Sequence, residues 1–200
     1  MNENLNINKT KDNKEMAERK SANNDKGLVI INTGNGKGKT TAALGCALRS
    51  AGHKQKVLIL QYIKGNMPTG ELNSIEYLKP YVEIFQLGKG FIKYKDGKPF
   101  ITDKDIQNAK TAFEFSLKKI QNENYDLIIL DEIINLLNFN LISLEEIKTL
   151  INCKSQNSSI ILTGSNASEE LIGLADTVTE MKEIKHAFQK GIKAKKGIEY

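Results

Sequence analysis

The chain has 200 residues, of which 40% are hydrophobic and 26% charged, and its formal net charge is +5. This length and composition fit one globular domain with a sizeable core. No apolar run reaches the roughly 18 residues that a membrane span needs, so the sequence predicts no membrane helix. The two cysteines, Cys46 and Cys153, form neither a disulfide framework nor a metal cluster. Together these features favour a cytoplasmic protein.

Residues 1–26 are predicted to form a polar N-terminal arm. Lys, Glu, Asn and Asp alternate there, with Leu5, Ile7 and Met16 as the few apolar residues. This composition is typical of a disordered or marginally helical segment, and it lacks the apolar stretch of a signal peptide. The folded domain is therefore predicted to span residues 27–200.

A glycine-rich loop follows the first predicted strand, Leu28–Ile31, and precedes a predicted helix that ends at Gly52. We call it the glycine loop, and its residues are Thr33, Gly34, Asn35, Gly36, Lys37, Gly38, Lys39, Thr40 and Thr41. A strand, a glycine loop and a helix beginning with Gly-Lys-Thr form the context of a phosphate-binding loop, whose backbone N–H groups point at one anion. Lys39 is then expected to reach phosphate oxygens, and Thr40 to ligate a magnesium ion carried by the nucleotide. Because Thr33 replaces the first Gly of the common pattern, a glycine-rich turn without nucleotide remains the alternative.

Strands and helices alternate along the rest of the chain. The further strands are predicted at Lys56–Tyr62, Val82–Leu87, Leu127–Leu130, Ser159–Thr163 and Asp176–Met181. Helices are predicted at Glu71–Leu78 and after Ser168. Two more are predicted to begin at capping boxes, one at Thr102 and Asp105 and one at Ser143 and Glu146. In the first of these two, the residues on one face are Ile106, Ala109, Phe113, Leu117 and Ile120. This alternation predicts an α/β fold with a mostly parallel sheet of about six strands and helices on both faces, with ligands bound beyond the carboxyl ends of the strands.

Two acidic residues, Asp131 and Glu132, come directly after the predicted strand Leu127–Leu130. An aspartate in this position is typical of a Walker-B motif, and we expect Asp131 to hold magnesium opposite Thr40. Glu132 is either a general base that activates water in an ATPase or a partner of the magnesium shell. The residues alone leave both roles open.

The basic charge is concentrated near the C-terminus. Residues 182–200 contain six Lys and two Glu, which accounts for +4 of the net charge of +5. Nucleic acid, an anionic small molecule and a solvated tail are the three explanations, and the scarcity of aromatic residues makes nucleic acid the least favoured. His186 in this segment is either structural or directed at a ligand.

Together these motifs resemble those of the P-loop ATP:corrinoid adenosyltransferases, the cob(I)alamin adenosyltransferase family, from about residue 27 to residue 200. The resemblance rests on the glycine loop with its Thr33, on Leu130-Asp131-Glu132, and on the segments Gln61–Gly65, Gly70-Glu71, Gly88–Phe91, Thr163-Gly164, Ala175–Met181 and Lys185–Tyr200. The last segment is the most specific. Lys93 and Ser165 depart from the family, whose members often have Trp and Arg there.

The resemblance implies a RecA-like fold, a homodimer and transfer of the 5′-deoxyadenosyl group of ATP to cobalt(I) of cobalamin or a corrinoid precursor, with release of triphosphate. It implies ATP as co-substrate, Mg²⁺, a corrinoid acceptor and a reduced flavoprotein as electron donor. Lys39, Phe91 and Glu132 are the predicted catalytic residues, and the family position of Phe91 implies a place against the lower face of the corrin ring. The alternative function is that of a RecA-like ATPase acting on nucleic acid.

Overall fold

A computed structural model describes residues 26–65, 68–90 and 92–199. The predicted N-terminal arm lies outside the described residues except for Lys26, and so do Phe91 and Tyr200. The boundary of the arm and the role of Phe91 therefore stay predictions.

Helices and strands alternate along the described chain. In chain order the elements are β1 (Val29–Thr33), α1 (Lys39–Gly52), β2 (Val57–Gln61), α2 (Gly70–Ile75), β3 (Val82–Gln86), β4 (Lys93–Lys95), β5 (Lys98–Phe100), α3 (Asp103–Asn122), β6 (Leu127–Asp131), α4 (Ile133–Asn138), α5 (Leu144–Cys153), β7 (Ser159–Thr163), α6 (Glu169–Ile172) and β8 (Thr177–Glu180). Two 3₁₀ turns, Glu76–Leu78 and Ala187–Lys190, complete them. No helix among these residues is long and apolar enough to cross a membrane.

Six strands form one parallel sheet in the order β3-β2-β6-β7-β1-β8. The central strands are continuous apolar runs because both faces of a parallel sheet are covered by helices. Strand β8 lies at the edge, and all four of its residues are exposed. The predicted α/β fold with a parallel sheet of about six strands is confirmed.

The hydrophobic core has two parts, one on each face of the sheet. Successive residues of a strand point to opposite faces, so Leu58 and Leu60 pack in the part that is covered by α3 to α6. Val57 and Ile59 pack in the other part, against the small side chains of α1. Helices therefore cover both faces, as predicted.

Helix α3 begins at the predicted capping box, in which the Thr102 side chain accepts from Asp105 N and the Asp105 side chain accepts from Thr102 N. The predicted buried face of this helix is partly wrong. Ile106 is 54% exposed, whereas the buried residues of the helix are Ala109, Ala112, Ser116 and Ile120. Ile106 lies in the turn before that face begins. Helix α5 also begins at its predicted capping box, at Ser143 and Glu146.

A short antiparallel hairpin, β4 and β5, was not predicted from the sequence. Its two-residue loop is Asp96-Gly97, and both residues have positive φ, 52° and 75°. Two left-handed residues match the twist of a type I′ hairpin turn, for which Asp-Gly is a preferred pair. Asp96-Gly97 is therefore the sequence signal from which the hairpin could have been predicted. The hairpin begins at Lys93, two residues after Phe91 in the chain.

Candidate active site

The carboxyl ends of neighbouring strands meet at one edge of the sheet. A cavity of about 630 Å³ opens there, between the glycine loop, α1, α2 and the C-terminal residues. Its charged lining residues are Lys37, Lys39, Lys64, Glu71, Glu132 and Glu199. Its apolar lining includes Leu44, Leu48, Ile75 and Leu78. One ligand in this cavity would meet both charged groups and apolar surface.

The glycine loop has the tight backbone that a phosphate-binding loop needs. Gly34 and Gly38 have φ of 98° and 117°, values that favour glycine. A Cβ atom on Gly34 would lie 2.5 Å from the carbonyl oxygen of Met181, so a side chain does not fit there. The loop must therefore be built from glycine at this position.

Lys39 is held inside the glycine loop. Its Nζ donates to the carbonyl oxygens of Gly34 at 2.9 Å and Gly36 at 2.7 Å. Burial lowers the pKa of the Lys39 ammonium, and the nearby Glu132 carboxylate opposes part of this shift. The ammonium thus lies among the backbone groups that a phosphate is expected to meet.

Asp131 links three strands and the start of α1. It is 1% exposed, and its Oδ1 accepts hydrogen bonds from the hydroxyls of Thr40 at 2.7 Å and Thr163 at 2.8 Å. Its Oδ2 accepts from Gln61 Nε2 at 3.2 Å, because Gln61 and Asp131 are paired in register between β2 and β6. The structure therefore brings together Thr40 and Asp131, the two predicted magnesium ligands.

Magnesium fits these groups. Mg²⁺ prefers oxygen ligands and usually keeps one or two protein ligands, with phosphate and water completing its shell. The Thr40 hydroxyl and the Asp131 carboxylate are such ligands, and they already touch. No cluster of three or more His, Cys, Asp or Glu residues suited to a metal occurs in the described part of the chain. The donor set matches a nucleotide-bound Mg²⁺ better than a metal held by protein alone.

Glu132 has an unusual backbone and an unusual carboxylate. Its φ is 67°, a left-handed value that costs energy for a residue with a side chain. Its backbone N donates to Thr163 Oγ1 at 2.8 Å. Its Oε2 is buried without a hydrogen-bond partner among the described residues. Burial, together with the Asp131 carboxylate, raises the pKa of Glu132 to about 7, although Lys64 and Lys39 oppose the shift.

Lys64 and Glu71 form an ion pair that reasoning from single residues did not assign to the site. Lys64 Nζ lies 3.1 Å from Glu71 Oε1 and 3.8 Å from Asp131 Oδ2. Burial alone would lower the pKa of Lys64, but the Asp131 and Glu71 carboxylates outweigh burial and raise it. Gln61 Nε2 also donates to Glu71 Oε1, at 3.2 Å. Lys64 therefore compensates the charge of the acidic groups in the cavity.

The comparison with known proteins identifies the family. A family profile described as ATP:corrinoid adenosyltransferase BtuR/CobO/CobP matches residues 25–200. The chain belongs to this family. It is 35% identical to the corrinoid adenosyltransferase of Escherichia coli (strain K12) over 180 residues, which cover 90% of this chain and 88% of that protein. It is 38% identical to the corrinoid adenosyltransferase of Sinorhizobium sp over 178 residues, covering 88% and 81% of the two chains.

A third relative, the corrinoid adenosyltransferase CobA of Salmonella typhimurium (strain LT2), is 34% identical over 180 residues, or 90% of this chain and 88% of that protein. The predicted resemblance to the corrinoid adenosyltransferase family is therefore confirmed. The alternative of a nucleic-acid ATPase is not favoured.

Some predicted site residues of this family member have structural contacts. The Thr33 hydroxyl accepts from Ala167 N at 3.0 Å, which ties the glycine loop to the segment before α6. Thr41 lines the cavity. His186 Nδ1 accepts from Phe188 N at 3.2 Å, so His186 caps a 3₁₀ turn.

We expect Glu132→Gln to stabilise this family member at alkaline pH when Mg²⁺ and nucleotide are absent. The pKa of Glu132 is raised from 4.5 to about 7, so folding favours the protonated carboxyl. The wild type therefore loses unfolding free energy as pH rises from about 4.5 to about 7, by up to about 3 kcal/mol. Glutamine does not ionise, so the variant escapes this loss.

Urea unfolding of both proteins at pH 5 and pH 8 measures the effect. Glu114→Gln is the matched control, because Glu114 is an exposed residue on α3. A gain for Glu132→Gln that is equal at the two pH values would contradict the raised pKa.

Proposed function

We propose that the protein transfers the 5′-deoxyadenosyl group of ATP to the cobalt(I) ion of cobalamin or a corrinoid precursor and releases triphosphate. The observation that carries the proposal is the contact between Thr40 and Asp131 beside Lys39, in a chain that belongs to the corrinoid adenosyltransferase family. These groups are suited to a magnesium-bound triphosphate.

The proposed reaction needs no side-chain nucleophile. Cobalt(I) attacks the 5′-carbon with its electron pair, a cobalt–carbon bond forms, and the bond from that carbon to the α-phosphate oxygen breaks. The electron pair of the broken bond leaves with triphosphate. The protein must then position the 5′-carbon and stabilise the charge on the leaving group.

Lys39 is the residue best placed to stabilise that charge. Its ammonium lies inside the glycine loop and donates to two loop carbonyl oxygens. Exchange of these acceptors for phosphate oxygens would form charge-assisted hydrogen bonds, each worth about 1.5–3 kcal/mol. We assign to Lys39 the stabilisation of the departing triphosphate.

Thr40 and Asp131 would hold Mg²⁺, which supplies positive charge to the triphosphate when bound. Thr163 and Gln61 orient the Asp131 carboxylate through hydrogen bonds to its two oxygens. We assign Glu132 to the same shell, because its carboxylate lines the cavity with a buried oxygen that has no partner among the described residues. In this assignment Glu132 activates no water, so its loss should lower the rate only modestly.

The reaction products distinguish an adenosyltransferase from an ATPase. We expect anaerobic incubation of the protein with Mg-ATP and chemically reduced cobalamin to give a light-sensitive alkylcobalamin spectrum and triphosphate. ADP and phosphate, formed faster when DNA is added, would overturn the proposal in favour of the ATPase. The rate of Glu132→Gln adds to this test, since a loss of several orders of magnitude would indicate a base-dependent hydrolysis.

We also propose that Phe91 lies against the lower face of the corrin ring, as the matching family position implies. An aromatic side chain there would displace the lower axial ligand of cobalt(II) and make its reduction easier. We therefore expect Phe91→Ala to slow the reaction that starts from cobalt(II) far more than the reaction that starts from pre-reduced cobalt(I).

The two reactions are compared under identical Mg-ATP. Phe100→Ala serves as the control, because Phe100 is a half-exposed aromatic residue on β5, nine residues along the chain. Equal losses of both reactions in Phe91→Ala would assign Phe91 to the fold or to general binding.

The proposal includes a homodimer, a reduced flavoprotein as electron donor and a cytoplasmic location. The family resemblance supports the dimer and the donor, and the composition with its two cysteines supports the location. Sedimentation of the full chain tests the dimer, and reduction of cobalt(II) by a reduced flavoprotein tests the donor.

A further inference from the structure

The C-terminal segment of the chain is attached to the glycine loop. Gly36 N donates to the carbonyl oxygen of Met181 at 2.6 Å. The side-chain oxygen of Asn35 accepts from Glu183 N at 3.1 Å. One N–H group of the loop is thus used by the segment that follows β8, and the chain beyond β8 begins its path directly beside the glycine loop.

The same chain returns to the glycine loop at its last described residues. Lys37 Nζ donates to the carbonyl oxygen of Ile198 at 2.7 Å and lies 3.7 Å from Glu199 Oε1. These two contacts occupy the ammonium of Lys37. In a phosphate-binding loop this ammonium, like that of Lys39, is a cation within reach of an anionic ligand.

The carboxylate of Glu199 is held in place by its own turn. We call residues 195–199 the C-terminal turn. Lys195 N donates to Glu199 Oε2 at 2.7 Å, and the N–H groups of Ile198 and Glu199 both donate to the carbonyl oxygen of Lys195. One carboxylate oxygen is thereby fixed by the backbone, and the other faces Lys37.

The C-terminal turn lies in the cavity but is weakly packed. Gly197, Ile198 and Glu199 line the same cavity as Lys39 and Thr40. Ile198 is 62% exposed, so little apolar contact retains the turn. Among the described residues, its polar contacts outside the turn are those with Lys37, and a partly exposed ion pair of this kind is weak.

We propose that Glu199 competes with the nucleotide phosphates for the ammonium group of Lys37. It thereby acts on the nucleotide site through Lys37, as a positioning residue. The inference rests on the proposed function. A triphosphate beside Glu199 would repel its carboxylate and offer Lys37 stronger acceptors. Lys37 then exchanges Glu199 for phosphate, and the C-terminal turn leaves the cavity. Release of triphosphate allows the turn to return.

The opposite role is a permanent wall, in which the C-terminal turn keeps its place and helps to hold the ligand. The two roles predict opposite signs. If Glu199 competes, its loss strengthens phosphate binding, whereas the loss of a wall residue weakens binding. Glu199→Gln is the suitable change, because the glutamine oxygen can still accept from Lys195 N and preserve the turn.

The first measurement is the dissociation constant of inorganic tripolyphosphate with Mg²⁺, by calorimetry on the full chain. We expect Glu199→Gln to bind about two- to fivefold more tightly than the wild type, the range for loss of a partly exposed ion pair. The control Glu114→Gln removes the same charge from α3, on the other face of the sheet from α1, and should leave the constant unchanged.

A second pair of variants separates competition from a general charge effect. In a Lys37→Met background the cation for which Glu199 competes is gone. Glu199→Gln should then change tripolyphosphate affinity by less than it does in the wild type. An undiminished effect in that background would overturn the assignment of Lys37.

Trypsin reports the position of the turn without any assay of activity. Lys193, Lys195 and Lys196 lie in or next to the C-terminal turn, and cleavage there is followed by mass. We expect tripolyphosphate to accelerate this cleavage in the wild type, because the turn leaves the cavity. Protection instead of acceleration would assign the turn to the wall.

The outcomes distinguish the two proposals. If the wild type does not bind tripolyphosphate, the phosphate site fails, and the inference fails with it. If the wild type binds and Glu199→Gln binds equally or more weakly, only the competitor role of Glu199 is overturned.

Discussion

Replacement of Lys39 by alanine is expected to abolish adenosyl transfer in practice, with a loss of roughly a hundred- to a thousandfold, as for removal of one preorganised donor to a leaving-group charge. Among the described residues, the Lys39 ammonium donates to two loop carbonyl oxygens and to no side chain. Its positive charge is therefore not committed to another side chain. A triphosphate would gain both the charge and the hydrogen bonds.

The fold should survive this substitution. Lys39 is half-buried in the loop, and water in the cavity can replace its ammonium at the two carbonyl oxygens. We expect the melting temperature to change little while the initial rate with Mg-ATP and pre-reduced cobalamin falls. The control Lys118→Ala removes the same charge from the exposed side of α3. Turnover of Lys39→Ala close to that of this control would refute the phosphate-binding role of the loop.

Asp131→Asn is expected to cause the second large loss, at least about a hundredfold in rate, together with a weaker dependence on magnesium. Asp131 is buried, and its oxygens accept from Thr40, Thr163 and Gln61. An asparagine keeps the shape but removes the charge that a divalent cation needs. The amide nitrogen of asparagine is also a hydrogen-bond donor, whereas Thr40, Thr163 and Gln61 all donate to the side chain at this position.

Asp126→Asn is the matched control, because Asp126 stands just before the other end of the same strand and accepts from Lys56 N. The rate is titrated with magnesium at saturating ATP for both variants. We expect the magnesium concentration for half-maximal rate to rise only in Asp131→Asn. A fall in rate without any change in this concentration would assign Asp131 to the fold and not to the metal.

The sequence was sufficient to predict the position of Asp131 relative to Thr40. The apolar runs before Thr33 and Asp131 identify buried parallel strands, and the carboxyl ends of such strands share one edge of the sheet. Once Asp131 is placed at a strand end and Thr40 in the first turn of the helix that follows β1, the fold leaves little freedom in their relative position. Their 2.7 Å hydrogen bond is therefore a consequence of pattern and topology.

The ion pair of Lys64 and Glu71 could not be predicted in the same way. Neither residue follows a strand end directly or lies on a periodic face, and their approach depends on how α2 packs at the end of β2. The contact of Lys37 with Glu199 is also determined by tertiary structure, since the path of the chain after β8 brings them together. Local patterns carry no signal for either contact.

The position of β1 between β7 and β8 has a consequence for the order in which the molecule forms. Strand β1 is the first strand in the described chain, but both of its neighbours come from its last part. The hydrogen bond of Leu28 with Ser159 spans 131 positions. Contacts of such separation form slowly because a long loop must close first. Both strands that pair with β1 in the described chain lie between residues 159 and 180, so we expect the glycine loop to be among the last regions to reach its final shape.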